Sequence, residues 1–338
     1  MVHADVMTAV PKPEDTAALI DRWWEQQEEE LPCPHLDASL LGHPCGRRLW
    51  LSFRWAVLER PSGRIRRLAD RDRRETAFMV ENLRRAGIEI HSTCPDDGGR
   101  RRVELAPHVA GSPDGIIESG VPEAPKSRHV AEFSAHSLEA FTELKRKGVF
   151  DAQRRRWCQI QCWMHGTGIR RALCVALCRD NGELYTERVE YHPVAAKDII
   201  GRGAEIALKE RIPPALSTDP SRTQCRQCPA RPFCPGTRPI EPGCVSCRTC
   251  AHVTPGKDGW QCENIPLHAM TPEEQREGCP RHVLHPDLVP WPLMGSDEDG
   301  NGIYEIDGVR VVNGKGGVLS RDLLKGRREP RQEADLPF

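Results

Sequence analysis

Apolar residues recur every three or four positions in several stretches of the chain, which is the spacing of an amphipathic helix. This pattern predicts helices over about 14–30, 45–58, 68–86, 137–148, 151–166 and 194–211. Short apolar or alternating runs predict strands near 88–92, 103–110, 114–118, 128–133, 171–178 and 184–191. The order of these elements predicts an α/β core with a central mixed sheet flanked by helices. Helices come first, followed by strands, a helical crossover, more strands and a closing helix.

The composition changes abruptly at residue 244, where periodic stretches give way to a segment rich in Cys, Gly and His. This segment has too few apolar residues to fold unaided, so we expect a bound metal to stabilise it. We therefore expect four parts, which are a partly disordered helical segment at 1–37, a core domain at 38–240, a small Cys-rich module at 244–290, and a hairpin with a polar tail at 291–338.

Positive charge is clustered although the chain is nearly neutral, with 48 Lys and Arg against 49 Asp and Glu. The clusters lie at 63–74, 98–103, 145–147 and 154–156, and such patches either bind phosphates or form solvated surface. The chain has no apolar run of about 18 residues and no N-terminal signal pattern, which predicts a soluble cytoplasmic protein. Fifteen cysteines in that compartment favour metal ligation over disulfide bonds.

Two carboxylates fall at the ends of neighbouring predicted strands. Asp114 begins one strand and Glu132 ends the next, so adjacent strands can bring both to one metal ion. Mg²⁺ prefers such oxygen ligands, and it polarises a phosphodiester and activates water. Glu75 is a third candidate because it shares a helical face with Met79 and Leu83. The alternatives are an ordinary Asp-Gly turn, a strand-end acid and an Arg partner for Glu75.

Several motifs occur in a characteristic order over about 38–240. They are Glu75 on a helix, G-x-x-D-G-I at 111–116, E-F-x-x-H at 132–136, a helix with Gln159 and Trp163 one turn apart, and the strand after it. In this order they resemble the PD-(D/E)XK nuclease superfamily, especially phage and RecB-type exonucleases of the lambda-exonuclease-like group.

The resemblance implies a restriction-endonuclease-like fold and a DNA exonuclease of phage-type recombination or repair. It implies that Asp114, Glu132 and Glu75 hold Mg²⁺ or Mn²⁺, and that Gln159 orients substrate or water. It also implies that the arginine patches contact the DNA backbone, which makes binding sensitive to salt. A phage-encoded protein of this kind would act in the cytoplasm of a bacterial host.

The chain departs from this group of nucleases at three positions. The group carries Lys where Ser134 stands, Tyr where Trp163 stands, and often another Lys near Arg179. The first Lys positions the attacking water and counters charge on the phosphate, whereas a serine hydroxyl carries no charge. Ser134 leaves three interpretations open, namely a protein that binds DNA without cutting it, an enzyme that recruits Lys145 or Lys147, and a variant made inactive on purpose. The intact carboxylates predict metal binding in all three.

A C-x2-C-x5-C motif supplies Cys225, Cys228 and Cys234, and three thiolates need a fourth partner. One Cys before the nuclease core and three after it is an arrangement that resembles RecB-like nucleases with an iron–sulfur cluster, and Cys45 lies before this core. The resemblance implies a [4Fe–4S] cluster that holds the two ends of the domain together. A closed structural Zn²⁺ site is the alternative for the same four thiolates.

A second thiolate set lies in the Cys-rich module, which also resembles short Cys-rich appendages of phage-type exonucleases. Its spacing predicts a tetrahedral Zn²⁺ site formed by Cys247, Cys250, Cys262 and Cys279. Alternative ligands are Cys244, His252 and His282. Four further cysteines fall at core-like positions and are expected to be buried free thiols, namely Cys158, Cys162, Cys174 and Cys178.

The chain ends in Q-E-A-D-L-P-F, which resembles the C-terminal tip of bacterial single-strand DNA-binding proteins. The resemblance implies that Glu333, Asp335 and Phe338 dock on a recombinase or another protein of the repair network. A frayed polar tail is the alternative.

Other functional classes fit less well. A zinc nucleobase deaminase needs H-x-E and P-C-x-x-C, but one residue too many separates His129 from Glu132, and Gln224 precedes Cys225. An iron–sulfur redox enzyme would need a flavin or nicotinamide fingerprint, which the sequence lacks. The remaining alternative to a nuclease is a catalytically inactive nuclease-fold protein that binds DNA or a recombination partner.

Overall fold

The computed structural model describes residues 15–27, 33–57, 61–93, 101–226, 228–234 and 244–324. The helices are α1 (Thr16–Glu25), α2 (Ala38–Leu41), α3 (Gly46–Phe53), α4 (Gly63–Arg85), α5 (Leu138–Ala152), α6 (Arg154–Thr167), α7 (Pro193–Ala207), α8 (Thr223–Arg226) and α9 (Ser320–Leu324). The strands are β1 (Leu36–Asp37), β2 (Glu89–His91), β3 (Val103–Ala106), β4 (Val109–Gly111), β5 (Gly115–Ser119), β6 (His129–His136), β7 (Arg171–Cys178), β8 (Leu184–Glu190), β9 (Val253–Gly256), β10 (Gly259–Cys262), β11 (Ile265–Met270), β12 (Leu293–Ser296), β13 (Gly302–Ile306) and β14 (Val309–Asn313). Within these ranges no helix has the length and apolar character that a membrane crossing requires.

A five-stranded mixed sheet forms the centre of the core, in the order β2–β5–β6–β7–β8. Strands β6 and β7 run parallel, and the other neighbouring pairs are antiparallel. A parallel pair needs a crossover connection, which α5 and α6 supply. The predicted α/β class, with a central mixed sheet flanked by helices, is therefore confirmed.

The two faces of β6 meet different helices, because successive side chains of a strand point to opposite sides. Phe133 packs with Met79 of α4 on one face. Val130 lies on the other face, within the large apolar cluster that also includes residues of α5 and α6. Glu132 and Ser134 share the face of Val130, so they point towards the crossover helices and away from α4.

Three predicted boundaries in this region differ from the structure. The expected strand at 103–110 is two strands, β3 and β4, which pair with each other because His108 turns the chain at φ +60°. Pro107 favours this turn, since it cannot donate to a strand ladder. Glu132 does not end its strand, because β6 continues in parallel register with β7 as far as His136. Asp114 precedes β5 by one residue instead of starting it.

Residues 244–324 form two further three-stranded sheets, β9–β10–β11 and β12–β13–β14. The predicted hairpin is confirmed, since β13 and β14 pair around Asp307 and Gly308, whose φ angles of +53° and +77° suit a type I′ turn. Arg248 joins this part of the chain to the core. Its guanidinium is fully buried, lies 3.9 Å from the ring centroid of Trp55 and donates to the carbonyl of Phe53 at 2.7 Å.

Candidate active site and cysteine clusters

Asp114 and Glu132 lie on neighbouring strands of the central sheet. Strands β5 and β6 are antiparallel with Gly115 opposite Ala131, so the next step of the register sets Asp114 across from Glu132. Asp114 is half-buried, and its Oδ2 accepts a hydrogen bond from the backbone N–H of Phe133 at 2.9 Å. The Asp114 carboxylate is thereby fixed beside the backbone of the residue that follows Glu132.

Glu132 is 3% exposed and forms an ion pair with Arg156 of the crossover helix α6. Nη1 of Arg156 donates to Oε1 of Glu132 at 2.6 Å and to the carbonyl of Phe133 at 3.0 Å. A carboxylate this deeply buried is costly unless a cation or metal compensates it. Arg156 therefore supplies positive charge directly at the candidate site.

Ser134 follows Glu132 on the same face of β6 and lies opposite Ala176 of β7. Neither lysine considered as a substitute interacts with the candidate carboxylates in the contacts that the structure gives. Lys145 pairs with Glu183, and Lys147 pairs with Glu143 at 2.6 Å, with both lysine side chains largely exposed.

A second acid lies in the same row across the sheet. Glu132 is opposite Cys174 of β7, which is in turn opposite Glu187 of β8. The Glu187 carboxylate accepts from the backbone N–H of Val149 at 2.8 Å and from the hydroxyl of Tyr185 at 2.9 Å. Burial, and then the carboxylates of Glu132 and Glu187, raise the pKa of the Cys174 thiol. The thiol of Cys174 is therefore protonated at neutral pH.

Glu75 lies on α4, the helix that packs on the other face of β6. Its carboxylate accepts from Arg71 at 2.8 Å and from Arg179 at 3.2 Å, and Arg179 also pairs with Asp72. The alternative of an Arg partner for Glu75 is thus what the structure shows. Within the described ranges, the three acids Glu75, Asp114 and Glu132 do not bring their oxygens within 4.8 Å of one another.

Gln159 is half-buried on α6, one turn beyond Arg156, so the two side chains occupy the same side of the helix. On the same helix the Gln161 side chain donates to the carbonyl of Glu190 at 3.1 Å and accepts from the N–H of His192 at 2.7 Å. Trp163 is buried at 1% exposure. Its ring would lie 2.3 Å from a Cβ on Gly111, which explains why that motif position has no side chain.

The predicted cluster ligands Cys45, Cys225, Cys228 and Cys234 line one cavity. Cys45 precedes α3, whereas the other three follow α7, so segments from before and after the central sheet meet here. No three of these four sulfur atoms lie within 4.8 Å of one another. Around one tetrahedral Zn²⁺ the sulfurs would be about 3.8 Å apart. A four-iron cluster and a closed Zn²⁺ site both take four thiolates, the cluster with one thiolate on each iron.

The second predicted set gathers at the start of the C-terminal part. Burial, and then the thiols of Cys279 and Cys262, raise the pKa of Cys247 to about 12. Burial, with Cys247 and Cys262 among the smaller causes, also raises the pKa of Cys250 to about 12. The four thiols are therefore neighbours, although here too no three sulfur atoms fall within 4.8 Å of one another.

The remaining predicted cysteines are buried at 8% exposure or less, as expected, and they are Cys158, Cys162, Cys174 and Cys178. The docking residues Glu333, Asp335 and Phe338 lie outside the described residues.

Sequence reasoning missed Arg156 and Glu187 as members of the site. Arg156 belongs to the R-R-R run that was interpreted only as a phosphate-binding or solvated patch. The pairing register of β7 with β8 places Glu187 in the row of Glu132, and no local motif encodes that register.

No protein-family model matches the sequence, and no curated protein matches it. Among solved structures, the chain is similar to an alkaline exonuclease (LHK-Exo) from Laribacter hongkongensis, with 14% identity and a TM-score of 0.35 over 52% of this chain and 87% of that one. LHK-Exo in complex with dAMP gives 13% identity and a TM-score of 0.34 over 55% and 89%. SSO0001 gives 13% identity and a TM-score of 0.38 over 64% and 92%.

Proposed function

We propose that the chain is a metal-dependent DNA nuclease with a PD-(D/E)XK-type core, which acts as an exonuclease on DNA ends in phage-type recombination or repair. The observation that carries this proposal is the hydrogen bond from the Phe133 N–H to Asp114, which holds one carboxylate beside the backbone of the strand that bears Glu132. The order of the sequence motifs supports the same assignment.

Asp114 and Glu132 are the proposed ligands of Mg²⁺ or Mn²⁺. Both offer carboxylate oxygens, which these ions prefer, and the sheet holds them on facing positions of adjacent strands. A bound ion of this kind polarises the scissile phosphate and lowers the pKa of a water molecule. Glu75 is kept as the proposed third ligand, but it would have to release Arg71 and Arg179 and reach the ion from α4, on the opposite side of the sheet from the Glu132 side chain. Gln159 is the proposed residue that orients substrate or water.

Arg156 takes over the charge role of the lysine that Ser134 replaces in this proposal. Its guanidinium already lies at Glu132, and guanidinium groups bind phosphate oxygens through paired donors. A guanidinium stays protonated in proteins and cannot accept a proton from water. The proposal therefore assigns Arg156 the neutralisation of phosphate charge and no part in proton transfer.

The proposed DNA path includes an arginine-lined cavity of about 320 Å³, to which Arg101, Arg102 and Arg128 contribute. Arginines of the run 63–74 are paired with acids on α1 and α4, just as Arg102 and Arg128 of the cavity are paired with Glu104 and Glu118, so DNA would have to compete with these pairs in both places. The pairs of the run are Arg67 with Asp21, Arg71 with Glu75, and Arg74 with Asp70.

A second candidate function is DNA binding without cleavage, and a specific observation favours it. Glu132 is held by Arg156, and Ser134 provides no charge to replace the family lysine. If Arg156 stays on Glu132 when DNA binds, Glu132 cannot bind a metal ion and Arg156 cannot bind the phosphate. The chain would then bind DNA or a recombination partner through the nuclease fold alone.

Cleavage of end-labelled linear duplex DNA separates these functions. The chain is incubated with Mg²⁺ or Mn²⁺ beside the Asp114→Asn and Glu132→Gln variants, with the exposed Asp299→Asn as a matched control. Cleavage by the chain and the control, but not by the two site variants, supports the nuclease. DNA binding without cleavage in every sample, at equal affinity, supports the second function and ends the first.

The cysteine sets have separate proposed roles. Cys45, Cys225, Cys228 and Cys234 are proposed to hold a [4Fe–4S] cluster, with Zn²⁺ as the alternative, because they line one cavity from both ends of the core. Zn²⁺ is proposed for a closed four-thiolate site at Cys247, Cys250, Cys262 and Cys279. The first metal centre would stabilise the part proposed at 38–240, and the second would stabilise the part proposed at 244–290.

The C-terminal tip is proposed to dock on a recombinase or another protein of the repair network through Glu333, Asp335 and Phe338. Deleting Phe338 should abolish such docking, whereas Arg331→Ala, in the same tail, should preserve it. Binding to a purified recombinase that is unchanged by the deletion would end this proposal.

A further inference from the structure

Three metal-binding side chains share one side of the segment 33–37, apart from the proposed active site and both cysteine sets. Cys33, His35 and Asp37 alternate along a segment that bends at residues 34 and 35 and then enters β1, and this path brings their side chains together. One ligand atom from each lies within 4.8 Å of the others. Within the described part of the chain, no other group of three Cys, His, Asp or Glu side chains meets this spacing.

His35 is the unusual member of the group. Its side chain is only 12% exposed, and neither ring nitrogen has a hydrogen-bond partner among the described residues. Its Nε2 lies 3.8 Å from Oδ2 of Asp37, which is beyond hydrogen-bond distance. Buried imidazole nitrogens are normally paired, and a metal ion would satisfy one of them.

The backbone and carboxylate of this segment are held in place by neighbouring elements. Trp55 Nε1 donates to the carbonyl of Cys33 at 3.0 Å, and Arg248 donates to the carbonyl of Pro34 at 2.6 Å. Oδ1 of Asp37 accepts from the N–H of Ser39 at 2.8 Å, which turns Oδ2 towards His35. Such outer hydrogen bonds orient metal ligands before the ion arrives.

We propose that Cys33, His35 and Asp37 bind one Zn²⁺ ion. A thiolate, an imidazole and a carboxylate suit a borderline ion such as zinc, whereas Mg²⁺ avoids sulfur ligands. Three protein ligands leave the fourth tetrahedral position to water. Binding releases the thiol proton of Cys33. Arg102 and Arg248 are the nearby positive charges that oppose the ion electrostatically, and the pairing of Arg102 with Glu104 at 2.6 Å reduces the contribution of Arg102.

The site would connect two parts of the protein. Leu36 and Asp37 pair with β4 of the core, while Pro34 contacts Arg248 of the Cys-rich part. A bound zinc ion would fix the segment that carries both contacts. The ion would therefore couple the position of the Cys-rich part to the core without entering the proposed nuclease site.

The test is the zinc content of the full-length chain, measured by mass spectrometry after loading with ZnSO₄ and desalting. Cys33→Ser, His35→Gln and Asp37→Asn are each expected to retain one zinc equivalent fewer than the unmodified chain. The exposed His91→Ala is the matched control and should retain them all. Asn remains a good N-cap, so Asp37→Asn keeps the Ser39 hydrogen bond and α2.

Substitution with ¹¹³Cd gives an independent readout, because its NMR shift depends on the number of thiolate ligands. We expect one resonance outside the four-thiolate region, which His35→Gln removes while the others stay. Zinc content in all three variants equal to that of the unmodified chain would overturn the proposal. A zinc loss in Cys33→Ser alone, with the other two unchanged, would also overturn it, because the ion would then lie in a different site.

Discussion

Arg156 of α6 lies 2.6 Å from the carboxylate of Glu132 on β6, and the same guanidinium donates to the carbonyl of Phe133. The backbone N–H of Phe133 is in turn bound by Asp114. The backbone of Phe133 therefore contacts both Arg156 and Asp114. The preceding residue, Glu132, forms an ion pair with Arg156 directly. The charge that accompanies the two acids comes from the crossover helix and not from position 134 of the strand.

Replacing Arg156 with Ala should destabilise the fold by about 1.5–3 kcal/mol, because a buried carboxylate loses its charged hydrogen-bond partner. If the chain is a nuclease, cleavage should also fall by on the order of 10²-fold, as expected for loss of one electrostatic stabiliser. Urea unfolding measures the first effect, and cleavage of end-labelled duplex DNA measures the second.

Two variants control this prediction. The exposed Arg310→Ala removes one arginine from β14, outside the arginine patches, and should leave both readouts unchanged. The double variant Arg156→Met with Glu132→Gln removes both charges and should recover part of the stability, because no unpaired buried charge remains. Wild-type stability in Arg156→Ala would show that the ion pair does not hold the site together.

Ser134→Lys should raise DNA cleavage by on the order of 10²-fold or more, because it adds a cation on the face of β6 that carries Glu132. Ser134→Met, of similar length but uncharged, separates the effect of charge from that of bulk. An increase in the cleavage rate in the Lys variant alone would show that the missing catalytic group is a cation at position 134. Equal rates in all three proteins would place the catalytic charge elsewhere, with Arg156 as the next residue to vary.

The stability of the protein should depend on pH through His285, which is 6% exposed. Its Nε2 donates to the carbonyl of Glu210 at 3.1 Å, and its Nδ1 accepts from the N–H of Asp287 at 3.2 Å. Burial, and then the charge of Arg54, lower the pKa of His285 to about 4 from an ordinary value of 6.5. The folded protein therefore keeps this ring neutral where the unfolded chain protonates it.

The sign follows from proton binding. The stabilising contribution of neutral His285 is complete above pH 6.5, and it is lost as pH falls towards 4, at up to about 1.4 kcal/mol per pH unit. His285→Asn keeps the acceptor for Asp287 but does not titrate. Urea unfolding between about pH 4.5 and 7.5 should therefore give a flatter curve for this variant than for the wild type, and parallel curves would contradict the prediction.

The sequence predicted the elements of the core well because their signals are local. Helical periodicity located α4 and α6, and alternation located β7 and β8. The Asp114 and Glu132 strands were also identified as neighbours. What a single sequence could not supply is the tertiary partner of each charged group. Glu75 could be placed on its helical face but not beside Arg179, which is far away in sequence. The same limit hid Arg156 among the arginines of its run.

Cys45 and Cys228 should be equally necessary for the metal centre at the cavity that they line with Cys225 and Cys234. After anaerobic purification we expect about four iron and four sulfide per chain, as a [4Fe–4S] cluster requires. Cys45→Ala and Cys228→Ala should each lose them, whereas Cys158→Ala, which removes a buried core thiol, should not. One zinc and no iron at this site would favour the closed zinc alternative instead.

The thermal stability of these variants shows whether the metal centre cross-links the two ends of the domain. A metal centre at Cys45 and Cys228 cross-links residues at the two ends of the core domain, and closing so long a loop restricts the unfolded chain. Both variants should therefore lower the midpoint of thermal unfolding by similar amounts, although one residue precedes α3 and the other follows α7. If only Cys228→Ala lowered the midpoint, Cys45 would not be a ligand, and the centre would hold the C-terminal end of the domain alone.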